Sequence, residues 1–370
     1  MTDFDAAIIG GGVLGSSIAY GLIKRDKKVL VLDGDDTDLR ASRGNFGLVW
    51  LQCKGLDFPR YAEVSYAACE AWKSFSSDLE YETGIDIDYR NDGGLVVCFS
   101  EQEMADRESQ YGALRESSKI LTESFRFEAL NNRQLKKILP TIGPTIPGAM
   151  FSEHDGHCNP LLLLRALHKA ILKLGGTMIS NCRVDSIKPS DGGFLIGTTD
   201  GQKHATAKTM ITAGLGATEL APMVGLQAPL EPMRGQILVT ERLAPIINTP
   251  TLYARQTSEG TVMLGGSNES VGYDESTSVE VLCKIAQQAV RTFPLLESAK
   301  IVRAWGALRI MTPDGLPIYQ QSETNPGSFL LNCHSGITLA SLHATVLADG
   351  LAAGHVPAQL ECFSGDRFDA

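Results

Sequence analysis

The sequence predicts an α/β fold in two parts: a domain built on a parallel strand–helix–strand unit, and a second, α+β domain of mixed sheet plus helices. Three observations carry this. The stretch Phe4 to Asp33 reads as strand, glycine turn, helix and strand. Phe329 to Thr338 repeats the arrangement of strand, small residues and helix start late in the chain. At 370 residues the chain exceeds a single hydrophobic core, and the block 86–147 carries no nucleotide features.

The opening stretch is FDAAIIGGGVLGSSIAYGLIKRDKKVLVLD. An apolar run ends at Gly10, a helix begins near Val13, and a second apolar run, Val29 to Leu32, closes on Asp33. This is a Rossmann-like unit, which binds a dinucleotide. Gly10 permits the sharp turn, Gly12 lets backbone approach a pyrophosphate, and Gly15 lets the helix pack closely on the sheet. The free N–H groups at the helix start, at Val13 and Leu14, face the phosphates. Leu14, Ile18 and Leu22 recur every four residues and give the helix an apolar face. Asp33 sits where a carboxylate accepts hydrogen bonds from both ribose hydroxyls. The cassette alone does not separate NAD from FAD.

A formal charge of −10 argues against nucleic acid as a partner, because phosphate backbones need Lys and Arg to neutralise them. Hydrophobic residues at 43% and charged ones at 21% are the balance of a soluble globular protein. No run reaches the roughly 18 apolar residues of a membrane span. Asp3 and Asp5 precede the first strand directly, so no signal peptide is expected and the expected location is cytoplasmic. Eight cysteines show no C-x-x-C and no iron–sulfur spacing, so they read as core or surface thiols. If electrons leave through a cluster, another chain holds it.

Taken in order, Ala41 to Trp50 (ASRGNFGLVW) offers small residues and glycines to a flat ligand. Arg60 to Leu79 has helical spacing, Ile85 to Ser100 reads as two extended runs around Asn91-Asp92-Gly93-Gly94, and Glu101 to Ser118 and Glu128 to Leu139 read as helices. His154, Asp155, His157 and Cys158 surround Gly156; with no second ligand group, a loop is expected rather than a metal site. Pro160 opens a helix to Leu174. Thr177 to Ala213 is strand-like, and its last run, Met210 to Ala213, breaks at Gly214 and restarts as a helix near Ala217. Glu231 to Thr240 is a strand containing Arg234. Thr251 to Ser267 forms a hairpin with Tyr253 and Arg255 two apart, hence on one face. Ser276 to Phe293 is helical, and Arg309 lies between apolar residues before a turn at Thr312 to Gly315. His334 to Thr338 opens a last helix reaching about Ala353.

Six of these marks stand in order: G-x-G-x-x-G with Asp33, SRGNFGL, AGLGA, PMRGQ, WGALRIMTPDGLP and HSGIT. Together they resemble the FAD-dependent amine oxidoreductases of the D-amino-acid oxidase type, particularly the glycine and sarcosine oxidase branch, over nearly the whole chain. The loop GNFGLVWLQCKG is most similar to the beta subunits of opine oxidases, D-hydroxyproline dehydrogenases and hydrogen cyanide synthases. The resemblance implies an FAD-binding domain from 1–85, 148–222 and 300–370, with a substrate domain from 86–147 and 223–299. It implies that Gly10, Gly12, Gly15 and Asp33 hold the ADP half, with Val184 beside the adenine. Ser42, Arg43, Gly44, Asn45, Gly47 and Leu48 would lie along the pyrophosphate and flavin. Ala213, Gly214 and Gly216, with Ser335, Gly336, Ile337 and Thr338, would approach the rest of the cofactor. Two departures stand out: Gly216 replaces a tryptophan of many relatives, and Asp33 a commoner glutamate. No cysteine matches the flavin tether of monomeric sarcosine oxidases.

The implied chemistry is oxidation of an amino-acid C–N bond, with substrate an opine or D-proline derivative. Arg309 matches the arginine that grips the substrate carboxylate, a task suited to its planar fork, although a structural ion pair would also explain it. Tyr253 and Arg255 read equally as substrate contacts or strand residues. The implied partners are a companion flavoprotein (alpha) chain and a small [2Fe-2S] chain, through which the protein could sit at the inner face of a membrane. Two other readings remain: an FAD-carrying electron-relay subunit without catalysis, and a 2-hydroxy-acid dehydrogenase on the same fold.

Overall fold

The computed structural model describes residues 2–34 and 41–368. Its main sheet grows from the opening cassette. Phe4–Ile9 pairs in parallel with Val29–Leu32 on one side and with Lys203–Ile211 on the other. Val29–Leu32 continues to Thr177–Ile179, and Lys203–Ile211 to Ser328–Asn332, also in parallel. Ile318–Gln321 closes that edge antiparallel, and the strands Val184–Ser190 and Gly193–Thr198 fold back antiparallel on the start of Lys203–Ile211. Ala6 to Ile9 and Val29 to Leu32 are buried without alternation, as expected where both faces of a parallel sheet are covered. The helix Val13–Ile23 packs on Pro160–Lys173 and on the last helix of the chain.

The second layer is antiparallel. Ala254–Gln256, Thr261–Leu264, Glu231–Arg242 and Ile301–Met311 form one sheet in that order; Gly94–Cys98, Gly148–Ser152 and Glu128–Asn131 form another. Leu95 joins them, its N–H donating to Pro250 O and its carbonyl accepting from Leu252 N, each at 3.0 Å. Leu95, Val97, Leu238, Leu264 and Phe293 share one core beneath the helix Val279–Thr292.

These pairings move two of the expected domain boundaries. Gly148–Ser152 lies between Gly94–Cys98 and Glu128–Asn131. Ile301–Met311 pairs with Glu231–Arg242 from Glu231↔Met311 to Thr240↔Ile301. Both strands therefore belong by hydrogen bonding to the part expected at 86–147 and 223–299. Local readings shift as well. Glu128–Asn131 is a strand and the helix is only Asn132–Ile138, because Asn131 Oδ1 accepts from Gln134 N while Gln134 Oε1 accepts from Asn131 N, a reciprocal cap that sets the start. The last helix begins at Ala340, with a wide turn over His343–Leu347. The cluster after Glu153 is architectural: Gly156–His157 pairs with Leu48–Val49, and buried Asp155 accepts from Leu51 N at 2.5 Å and Gln52 Nε2 at 2.7 Å. Burial raises the Asp155 carboxyl to about 6.

His343 is wholly buried, its Nε2 2.8 Å from the Tyr319 hydroxyl, and burial pushes its imidazole down to about 3. His157 is pushed down to the same value by burial and by the Arg255 and Arg90 charges. Unfolded imidazoles take a proton near pH ~6.5, so between these limits the unfolded chain binds more protons and folding stability falls as the pH drops. His334 is lowered likewise, and Asp155 works in the opposite sense from about pH 4 to 6, one group against three. Urea unfolding between pH 7 and pH 4 (about the range to scan) is expected to show that decline. His343→Asn should reduce the slope by about one proton; an unchanged slope would place the titration elsewhere.

Candidate active site

A cavity of ≈ 980 Å³ opens where four parallel strands end, at Ile9, Leu32, Thr212 and Asn332, and is roofed by the second sheet through Met233 to Ile237 and Ala307 to Met311. Ligands of open parallel sheets bind beyond such carboxyl ends, and the volume is at the upper end of the roughly 300–1,000 Å³ of cofactor sites. It brings together Gly10, Gly12, Val13, Leu14, Asp33, Ser42, Arg43, Gly44, Asn45, Leu48, Val184, Ala213, Gly214, Gly216, Tyr253, Arg309, Ser335, Gly336, Ile337 and Thr338.

At the nucleotide end Gly10 turns with φ +111°, Asp33 Oδ1 accepts from Gly11 N at 2.9 Å, and Ser42 Oγ accepts from Val13 N at 3.0 Å. In the middle, Asn332 Nδ2 donates to Gly214 O at 3.2 Å, tying the strand break to the last strand, and Thr338 Oγ1 accepts from Trp50 N at 3.1 Å. The Trp305 indole donates to Gly44 O at 3.2 Å, fastening the 41–47 loop to the second sheet.

The glycines test what the cavity is for. A Cβ on Gly15 would lie 2.1 Å from Gly10 O, so its bareness serves helix packing, and Gly15 does not line the cavity. A Cβ on Gly12 would meet only the Ser42 side chain, from 3.0 Å; on Gly216 only Ala213 Cβ at 3.8 Å; on Gly336 only Cys333 Sγ at 4.0 Å. These three positions turn bare backbone to the cavity instead of to protein, a cradle suited to an extended, flat ligand.

Besides Gly15, two expected site residues lie outside the cavity lining. Gly47, at φ +94°, packs against Cys158, where a Cβ would be 2.4 Å from the carbonyl oxygen. Arg255 is buried outside the cavity: Nε donates to Phe46 O, Nη2 lies 3.0 Å from Met263 Sδ and Nη1 3.5 Å from His157 Nδ1. The strand begins only at Ala254, after Tyr253, so the two side chains do not share a face.

Arg309 reaches the cavity from the edge strand. Its register partner is Met233, and its guanidinium lies over Gly235, where a Cβ would be 2.4 Å from Nη2. Nη1 donates to Ser267 O at 2.9 Å and Arg234 O at 3.4 Å; among the described residues no carboxylate pairs with it. Burial pulls its pKa below the ordinary arginine value, opposed by the more distant Glu269 charge. Arg234 is the contrast, spent on Glu269 at 2.8 Å and Asp274 at 2.6 Å. Lys54, not singled out as a site residue from sequence although its QCKG segment was part of the resemblance, also lines the cavity, donating to Ser335 Oγ with Nζ 5.7 Å from the Tyr61 ring centroid. His334 lines the cavity with its side chain exposed. Partial desolvation by the cavity walls, with the Lys54 and Arg309 charges, lowers its imidazole from the ordinary value.

The sequence pattern of the family described as DAO, FAD dependent oxidoreductase, matches residues 5–350. The chain belongs to the DAO family of FAD dependent oxidoreductases. It is 41% identical over 371 residues to an opine oxidase subunit of Rhizobium meliloti, covering 100% of this chain and 99% of that protein. It is 28% identical over 378 residues to glycine oxidase of Bacillus licheniformis, covering 99% and 98%. The crystal structure of glycine oxidase from Geobacillus kaustophilus shares the fold, with a TM-score of 0.87 over 98% of each chain at 24% identity. FAD supplies the DAO-family enzyme with its two-electron chemistry, and the open glycines and Asp33 are the groups that fit it. Gly12→Ala is expected to weaken FAD retention about tenfold or more while leaving apoprotein stability within about 1 kcal/mol. Gly15→Ala should instead destabilise the apoprotein by about 1–3 kcal/mol. FAD titration and thermal unfolding of both variants check the contrast.

Proposed function

We propose that this oxidoreductase acts on the C–N bond of an amino acid, a secondary amine such as an opine or D-proline derivative. The substrate gives up two electrons and two protons to become an imine, which water hydrolyses to a keto acid and an amine. The observation that carries the reading is the Arg309 guanidinium, held in the cavity by carbonyl oxygens and left without a carboxylate among the described residues. A planar fork in that state is suited to a substrate carboxylate and orients the adjacent Cα. The amine must be neutral before oxidation, and cationic neighbours in a protein-walled cavity disfavour the ammonium form, so no strong base is needed. Tyr253, whose pKa burial raises, offers a protonated hydroxyl to the same cavity.

In this proposal the chain is the catalytic beta subunit of a multi-subunit oxidase or dehydrogenase, beside a companion flavoprotein chain and a small [2Fe-2S] chain. Its likeness to a protein named as a subunit supports that. All eight cysteines are free thiols, in keeping with a reducing, cytoplasmic location, and no helix among the described residues is long and apolar enough to cross a membrane.

Anaerobic titration of the purified flavoprotein with amino acids is expected to bleach its flavin band with one class of secondary amine. Arg309→Ala should lower kcat/KM for that amine by about a hundredfold or more. Retention of full turnover would favour an electron-relay role, and bleaching only by hydroxy acids a 2-hydroxy-acid dehydrogenase.

A further inference from the structure

We propose that Lys54 is a second anion anchor of this active site, taking a second carboxylate on the nitrogen substituent of the substrate, and so selects N-carboxyalkyl amino acids over amino acids with one carboxylate. The inference rests on the proposed amine oxidation and adds the residue that would set its substrate preference.

The backbone holds Lys54 in place. Cys53 on one side has φ +64°, uncommon for a residue with a Cβ, and Gly55 on the other has the same angle. The Lys54 N–H donates to Leu51 O at 3.1 Å, and Gly55 is pressed on the helix Pro59–Thr83, where a Cβ would lie 2.5 Å from Ala62 N. A strained residue persists only where its surroundings hold it, and such strain gathers at ligand sites. Here it turns the Lys54 side chain to the cavity.

What meets the ammonium is neutral. Ser335 Oγ accepts from Nζ and from the Tyr61 hydroxyl, the latter at 2.9 Å, and the Tyr61 ring lies nearby. No carboxylate among the described residues pairs with Lys54, and the acids lining the cavity, Asp33, Glu219 and Glu275, make no ion pair with it or with Arg309. The Cys53 and Cys333 thiols are pushed up by burial, so neither supplies a negative charge. Lys54 and Arg309 line the same cavity. A half-buried cation without a counter-charge is unfavourable until an anion arrives. One carboxylate satisfies Arg309; the ammonium, a compact charge on a flexible stem, is fitted to another on a substituent of variable length.

The test uses the FAD-loaded protein and two ligands whose ether oxygen replaces the amine and blocks C–N oxidation: oxydiacetate, with two carboxylates, and methoxyacetate, with one. Calorimetric titration is expected to show wild type binding oxydiacetate about tenfold or more tightly than methoxyacetate, with Lys54→Met reducing that ratio by about ten- to hundredfold and Lys54→Arg restoring most of it. Equal affinities in wild type, an unchanged ratio in Lys54→Met, or a defect confined to flavin reoxidation by oxygen would overturn the assignment. The wild-type comparison stands even if Lys54→Met fails to fold. Binding of these ligands is independent of turnover, so an enzyme that binds oxydiacetate selectively but is bleached by no amine would refute the proposed reaction and leave the anchor intact.

Discussion

The parallel ladder between Phe4–Ile9 and Lys203–Ile211 is the constraint on which the rest of the molecule depends. Thr212 extends it past the strand ends: its N–H donates to Ile9 O at 2.9 Å and its hydroxyl lies 3.0 Å from the carbonyl oxygens of both Ile9 and Gly10. The glycine turn is thereby held from the side by a residue far away in sequence, and Gly214 arrives beside it. Ser328–Asn332 then adds to Lys203–Ile211, which brings the turn from His334 to Thr338 to the same rim. Each of these turns lines the cavity because a strand pairing delivers it there.

Charge placement follows from register and partner supply. Arg234, Arg255 and Arg309, all on strands of the second sheet, show this. Arg234 finds two carboxylates, Arg255 is buried against Phe46, His157 and Met263, and Arg309 extends over Gly235 to the cavity. The residue type is the same in all three, so what distinguishes them is where the strand points each side chain and whether an acid waits there. An arginine supported only by carbonyl oxygens keeps its capacity for an incoming anion.

The opening cassette was legible in the sequence because its logic is local: turn, helix start and acidic strand end fall within one short stretch. The loop at Ser42 to Asn45 and the turns at Gly214 and Gly336 were legible through resemblance, since no short-range rule says that they meet. Alternation from Tyr253 misassigns the face of Arg255 because the strand begins one residue later, at Ala254. The domain boundaries slipped because Gly148–Ser152 and Ile301–Met311 find their hydrogen-bonding partners in segments distant along the chain. Lys54 is not legible as a site residue for a related reason: its surroundings come from Tyr61 and Ser335, and a loop sequence does not announce which distant hydroxyl will meet its lysine.

The turn at Thr338 has a bearing on how the protein is made. Thr338 O accepts from the Trp72 indole at 2.8 Å, its hydroxyl from Trp50 N, and the neighbouring Ser335 from Tyr61. Until the ribosome has delivered this turn, those early groups lack their native partners and the first strands lack a complete sheet. Such long-range closure slows folding, so the nascent chain passes through a period in which its dinucleotide cassette exists but the cradle cannot yet shut.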